Sequence, residues 1–248
     1  MPRLRNVDKS DPAFPTNQFP KDFPYKLGRE IVYLLATKQQ PTVEGSEWEQ
    51  IFAICIGAEW KPSNIGLDDV VLKNTAWGAK SVKAISPSNQ KTVRLISGRN
   101  SPVYSYGGII DTNAEPNKVG ESVLDIWNGR VSAIREKYPS VRTVVLIKSE
   151  KLSEVVVFEF ETIRYDPEAF EWQWNLRGNL EGVLKGTVLK KFVWQPHGSQ
   201  FTIIEEVPKN SLIIKIQPPE PLDKKNVLTE VGFDNSWITV SLSRPRIG

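Results

Sequence analysis

One helix running directly into one strand constrains this chain most. Residues 117–138 carry an apolar stripe at helical spacing: Val119, Val123, Ile126, Trp127, Ile134 and Tyr138. Gly129 weakens that helix slightly, and Pro139 stops it. The chain then reads Val141-Arg142-Thr143-Val144-Val145-Leu146-Ile147, the pattern of a buried strand. A helix feeding such a strand calls for a sheet with helices packed on it.

The segments on either side extend that expectation. Ser46-Glu47-Trp48-Glu49 has the spacing of a capping box and opens a helix through about Ala58. Trp48, Phe52, Cys55 and Ile56 fall on its apolar face. Strand-like runs follow at residues 67–72, 79–85 and 91–97, separated by turn residues such as Asn74, Gly78, Pro87, Ser88 and Asn89. The order helix, three strands, helix, strand predicts an α/β (α+β) fold with a mixed sheet flanked by helices. From Ser153 the chain turns β-rich, with strands expected at 154–163, 170–175, 189–194, 200–205, 212–216 and 237–242. Pro218-Pro219-Glu220-Pro221 reads as a stiff link to the last of them. Three regions result. Residues 1–44 form a Pro-rich arm, pinned by Phe14, Phe19 and Phe23, with a short helix at 28–38. Residues 45–150 form the α/β core. Residues 151–248 form a β-rich extension for recognition or dimerisation.

Several function classes drop out. One cysteine, Cys55, excludes an internal disulfide framework and Cys-based zinc sites. One histidine, His197, excludes paired-histidine catalysis and His-rich metal sites. No Walker A, Gly-x-Gly-x-x-Gly or Gly-x-Ser-x-Gly pattern occurs. No apolar run reaches the roughly 18 residues of a membrane span, so no membrane partner is expected. The start Met1-Pro2-Arg3-Leu4-Arg5-Asn6 leads into no apolar stretch, so a secretory leader is not expected either. A cytoplasmic protein is the expectation.

Charge placement then points to a class of partner. Net charge is only +3, yet between Val70 and Ile110 there is no Asp or Glu. That stretch holds Lys73, Lys80, Lys83, Lys91, Arg94 and Arg99. Solvated faces usually mix signs, so a surface facing a polyanion is favoured over a plain solvated face.

Within and beside that stretch lies a constellation that carries chemistry. Asp68-Asp69 lie on one expected strand, and Ser81-Val82-Lys83 on the next, across a tight turn that can bring the side chains to one face. A carboxylate pair holds a hard divalent cation through oxygen. A lysine beside it orients or deprotonates water, or stabilises developing phosphoryl charge.

The element order and these residues resemble the PD-(D/E)xK nucleases, the fold of many type II restriction endonucleases, over about residues 45–150. The resemblance implies a Mg²⁺-dependent, sequence-specific endonuclease acting on double-stranded DNA, commonly as a homodimer. By that resemblance Asp69, with Asp68, binds the metal and Lys83 positions the attacking water. Ser81 stands where the family has an acid. The missing acid then comes from Glu47 or Glu49 on the first helix, or from Glu121 on the later one. A second register, Gly78-Ala79-Lys80, also lacks the acid.

DNA-contacting candidates follow from side-chain chemistry. Arg99 and Asn100, in the loop Ser97-Gly98-Arg99-Asn100-Ser101-Pro102, have the donors that read guanine and adenine in a major groove. Lys80, Lys91 and Arg94 suit phosphates. His197 and Gln200 lie at a polar hairpin tip shaped to enter a groove. Trp172, Trp174, Trp194 and Phe201 read first as core, with base stacking as the second reading. A non-cleaving DNA-binding protein and a β-rich interaction scaffold remain the rival functions.

Overall fold

A computed structural model describes residues 11–38, 41–62, 66–107 and 115–241. Helix α1 (Phe23–Thr37) buries Phe23, Leu27, Ile31, Leu34 and Leu35 along one stripe. It starts five residues before the expected 28, because Pro24 falls in the first turn, where a missing N–H costs nothing. Helix α2 (Gly45–Ile56) is capped by Glu44, not by Ser46. Glu44 and Glu47 form the reciprocal capping box, and Gly57 closes the helix at φ 69°.

Strands β1 (Glu59–Trp60), β2 (Val70–Leu72) and β3 (Thr75–Lys83) form an antiparallel meander. β4 (Thr92–Arg99) comes next, then the short helix α3 (Pro102–Ser105) and the long α4 (Pro116–Arg135). α4 returns the chain to β5 (Ser140–Lys148), which lies parallel to β3 from Thr75↔Ser140 to Lys83↔Lys148. β6 (Glu154–Glu161) is antiparallel to β5. β7 (Phe170–Trp174), β8 (Leu180–Leu184), β9 (Lys190–Gln195), β10 (Gln200–Glu206) and β11 (Leu212–Lys215) follow, and α5 (Lys224–Glu230) comes last. Among the described residues the fold is mixed α/β, with two sheets and five α-helices. None of these helices is long and apolar enough to cross a membrane.

The first sheet has the order β1-β2-β3-β5-β6-β11, and the second β4-β10-β9-β8-β7. Both sheets therefore draw strands from either side of residue 150. β4 pairs with β10 and not with its chain neighbour β3, whose other edge is taken by β5. Its alternating burial suits the edge of a sheet with one wet face. One face of the first sheet is covered by α1, α2 and the arm, around Phe23, Phe52, Trp77, Val144 and Val157. The other is covered by α4 and the second sheet, around Val123, Trp127, Trp172, Phe192 and Phe201. Gly120 lets that second layer close. A Cβ there would lie 2.1 Å from the Trp172 ring, so only glycine lets α4 seat on β7.

The strand expected at 237–242 is not formed over its described part. Asn235–Trp237 is a 3-10 turn, and 238–241 is exposed and unpaired with any strand. The prolines at 218–221 lead into α5 instead.

Candidate functional site

The β2–β3 hairpin sets the geometry. Its register pairs Val70 with Trp77 and Leu72 with Thr75. Carried one residue further, it sets Asp69 against Gly78, so Gly78-Ala79-Lys80 is the segment that faces the carboxylate. Side chains alternate along β3. Trp77 and Ala79 enter the core under α1 and α2, whereas Ala76 enters the core under α4. Lys80 has the parity of Ala76 and lies on the α4 side. The chain just before β2 crosses β3 there. A Cβ at Gly78 would come within 2.8 Å of the Gly66 carbonyl oxygen and 3.2 Å of the Leu67 Cα. The Lys80 Nζ lies 4.0 Å from where a Gly66 side chain would begin. Asp68 and Asp69 follow in this loop and are 6% and 4% exposed. The Asp69 carbonyl accepts the Lys61 N–H at 2.7 Å, which fixes the loop to the start of the meander.

Two cations and two carboxylates meet electrostatically at this point. Burial pulls the Lys80 ammonium below its ordinary value, partly offset by Asp69, while Arg130 pushes it down further and Glu49 holds it up. Burial also lowers Arg130, against the pull of Asp69. Arg130 comes from α4. Its Nη1 donates to the Ser97 carbonyl at 2.6 Å and to Asn100 Oδ1 at 3.1 Å, and its guanidinium lies 5.6 Å from the Trp127 ring centroid. Sequence reasoning did not find Arg130. The available signal was its position three residues after Trp127, on the stripe side of the clearest helix.

Of the acids considered as a substitute ligand, Glu49 is the one near Lys80. It also accepts the Trp60 Nε1–H at 3.2 Å. Glu47 is used elsewhere: it accepts the Glu44 N–H in the helix cap and pairs with Lys38. Glu121 is exposed on α4.

A Mg²⁺ ion uses one or two carboxylates and keeps waters and substrate phosphate oxygens in the rest of its shell. Asp69 and Asp68 fit that reduced donor set, and Asp68 Oδ1 is buried without a hydrogen-bond partner. No group of three His, Cys, Asp or Glu side chains able to cage a metal occurs among the described residues.

Other expected site residues lie elsewhere. Lys83 stands five residues past Gly78, about 17 Å along the strand, and has the opposite parity to Lys80. It is exposed and pairs with Glu150 at 2.9 Å. Ser81 shares the Lys83 parity and sits opposite Leu146. Neither reaches Asp69, because an odd offset along a strand reverses the face.

Asn100 is fully buried, wedged between α4 and the second sheet. Its amide donates to the Val123 carbonyl at 3.0 Å and its Oδ1 accepts from Arg130. Its carbonyl accepts the Trp194 Nε1–H at 2.8 Å, and its N–H donates to Ser199 at 2.9 Å. It has no edge left to read a base.

Arg94 and Arg99 are exposed on β4 and Lys91 just before it, His197 is exposed in the β9–β10 turn, and Gln200 is half-buried opposite Arg99. Arg99, His197 and Gln200 thus cluster at the end of the second sheet from which Ser97 bonds Arg130. Arg94 instead lines a groove of about 400 Å³ with Arg177, Lys190 and Glu181. The acid-free run is therefore divided between the two sheets. Trp172, Trp194 and Phe201 are core, at 4%, 1% and 0% exposure, and form no stacking platform.

No family description, curated protein or solved structure matches this chain.

Proposed function

We propose that the protein is a Mg²⁺-dependent, sequence-specific endonuclease that hydrolyses phosphodiesters of double-stranded DNA, in the manner of the PD-(D/E)xK nucleases. One observation carries the reading: Asp69 faces Gly78-Ala79-Lys80 across a hairpin, with a half-buried lysine beside a buried carboxylate. The order α2, β1-β2-β3, α4, β5, with β5 parallel to β3, supports it. So does the unpartnered Asp68 oxygen.

In this reading Lys80, not Lys83, positions the attacking water and takes up its proton. Asp69 and Asp68 hold the metal. When bound, Mg²⁺ would polarise the scissile phosphate and neutralise its developing charge. Glu49 supplies the carboxylate that position 78 cannot, since the Gly66-Leu67 backbone fills the space. Arg99, Gln200 and His197 face the duplex at the neighbouring end of the second sheet. Duplex sites are commonly palindromic, so the enzyme acts as a homodimer, on DNA in the cytoplasm.

The second reading is a DNA-binding protein that does not cut. The filled space at Gly78 favours it, because the family's acid has no room there.

Mixed-sequence plasmid incubated with Mg²⁺ or with EDTA, beside Asp69→Asn and Lys80→Ala, separates the two. Discrete fragments that need Mg²⁺ and vanish in both variants support the nuclease. Intact plasmid in every lane, with a salt-sensitive gel shift, leaves the binding protein.

A further inference from the structure

The carboxyl ends of the parallel strands β3 and β5 open into a pocket on the other side of the sheet from Lys80. Its volume is about 550 Å³, within the range of small-molecule sites. Lys38, Lys83, Lys148 and Lys151 line it, with Glu150 as the one lining acid. Lys83 and Glu150 pair at 2.9 Å, but both are largely exposed, so that pair is readily exchanged for another anion. Lys148 is different. It is only 8% exposed, at the very end of β5, and its Nζ donates to the Val43 carbonyl. An ammonium has three N–H donors, and that bond uses one. Burial and Lys83 lower the Lys148 pKa, while Glu44 and Glu47 at the start of α2 raise it. Those two acids offset part of the cost of keeping a charged lysine this deep, and an anion held in the pocket would offset more of it.

The remaining wall is apolar: Leu35, Leu152 and the prolines 218, 219 and 221. Leu152 holds a positive φ of 53° in the β5–β6 turn that carries Glu150 and Lys151, a conformation that bulky residues adopt only under constraint. Open α/β sheets commonly bind ligands beyond the carboxyl ends of their strands.

We propose that this pocket binds a small phosphorylated ligand of nucleotide size, its phosphates on Lys148, Lys83 and Lys151 and its apolar part on the proline wall. The inference rests on no part of the nuclease reading.

Calorimetric titration of the full chain with ADP and with inorganic pyrophosphate, in EDTA and at fixed ionic strength, tests it. Both probes are expected to bind saturably at one site. Lys83→Gln/Lys151→Gln, two exposed positions, weakens binding at least about tenfold with an unchanged melting temperature. Glu150→Gln removes the competing carboxylate and tightens binding about threefold. Asp69→Asn leaves it intact. Absence of saturable heat overturns the proposal, as does a double variant that binds like the parent. It falls equally if the double variant weakens only a duplex oligonucleotide, because the lysines then belong to a DNA surface.

Discussion

The first sheet holds a charged cluster on each face, and the two are built differently. Under α1 and α2, Arg142 and Glu159 form an ion pair at 2.7 Å with side chains 1% and 0% exposed. Glu159 also accepts the Trp77 Nε1–H at 2.6 Å and the Asn17 N–H at 2.9 Å, and the Phe14 ring covers Arg142. That cluster clips the N-terminal arm to the sheet. On the α4 face, Lys80 is half-buried beside Asp69 and Arg130, and an oxygen of Asp68 has no hydrogen-bond partner. Both clusters are desolvated. Each also leaves one buried polar atom without a hydrogen bond: Arg142 Nε, which lies 3.5 Å from Glu161 Oε1, and Asp68 Oδ1. The leftover group of the first is a donor already facing an acid, whereas that of the second is an acid oxygen in the loop that carries Asp69, the kind of group a cation needs.

The same substitution made on each face should break this comparison if it is wrong. Arg142→Met strands a buried Glu159 carboxylate and is expected to cost about 3–5 kcal/mol of stability. Lys80→Met removes a cation that burial already disfavours and is expected to stay within about 1 kcal/mol. Urea unfolding of both variants reads the difference directly. Equal losses would mean that the Lys80 cluster is as structural as the other.

Activity should show the reverse asymmetry. Asp69→Asn is expected to lower Mg²⁺-dependent plasmid cleavage about 10²–10³-fold, while Arg142 variants that remain folded keep their rate. The pH profile sharpens the point. Lys80 is lowered from its usual value in the folded chain. Between that lowered value and the ordinary lysine range the unfolded chain binds more protons than the folded one, so stability rises with pH across this window. Under the proposed nuclease reading, cleavage is expected to rise with pH and level off as Lys80 loses its proton, because only the neutral amine accepts one from water. Lys80→Met removes both slopes.

Much of this fold can be read from the sequence where a pattern is long. α2, α4, β5 and β6 fall within a few residues of expectation, because apolar spacing and flanking Gly or Pro are local signals. The site was legible in part. Asp68 and Asp69 stand out as paired acids, though they fall in the loop just before β2 and not on the strand expected at 67–72, and the choice between Lys80 and Lys83 depends on register. Register is set by the Val70–Trp77 pairing, which no local pattern announces. Asn100 looked like a base reader because its partners, Val123, Arg130 and Trp194, lie 23 or more residues away. β8 went unseen because Gly182, which disfavours a strand, is required there. A Cβ would sit 3.0 Å from both Trp172 and Phe192. Residues 237–241 have strand composition but no neighbour, and an unpaired strand does not form.

Gly78 tests whether the Lys80 cluster could carry the acid that the PD-(D/E)xK nucleases of the proposed reading have at that position. Gly78→Asp restores the acid two residues before Lys80, but its Cβ meets the Gly66 carbonyl. The expected outcome is a loss of about 1–3 kcal/mol, without faster cleavage. A variant that folds normally and cuts faster would show that the loop yields, and that Glu49 is not the substitute acid.

The smallest effect should come from Ser81, which occupies the family's acid position in the rejected register. It has the parity of Lys83 and lies opposite Leu146, on the other face of β3 from Lys80. Ser81→Ala is therefore expected to shift stability by less than about 0.5 kcal/mol and to leave the cleavage rate within about twofold. A tenfold loss corresponds to about 1.4 kcal/mol of barrier, too much for a hydroxyl outside the reacting centre. Such a loss would return the site to Ser81-Val82-Lys83, and the asymmetry between the two faces would no longer mark function.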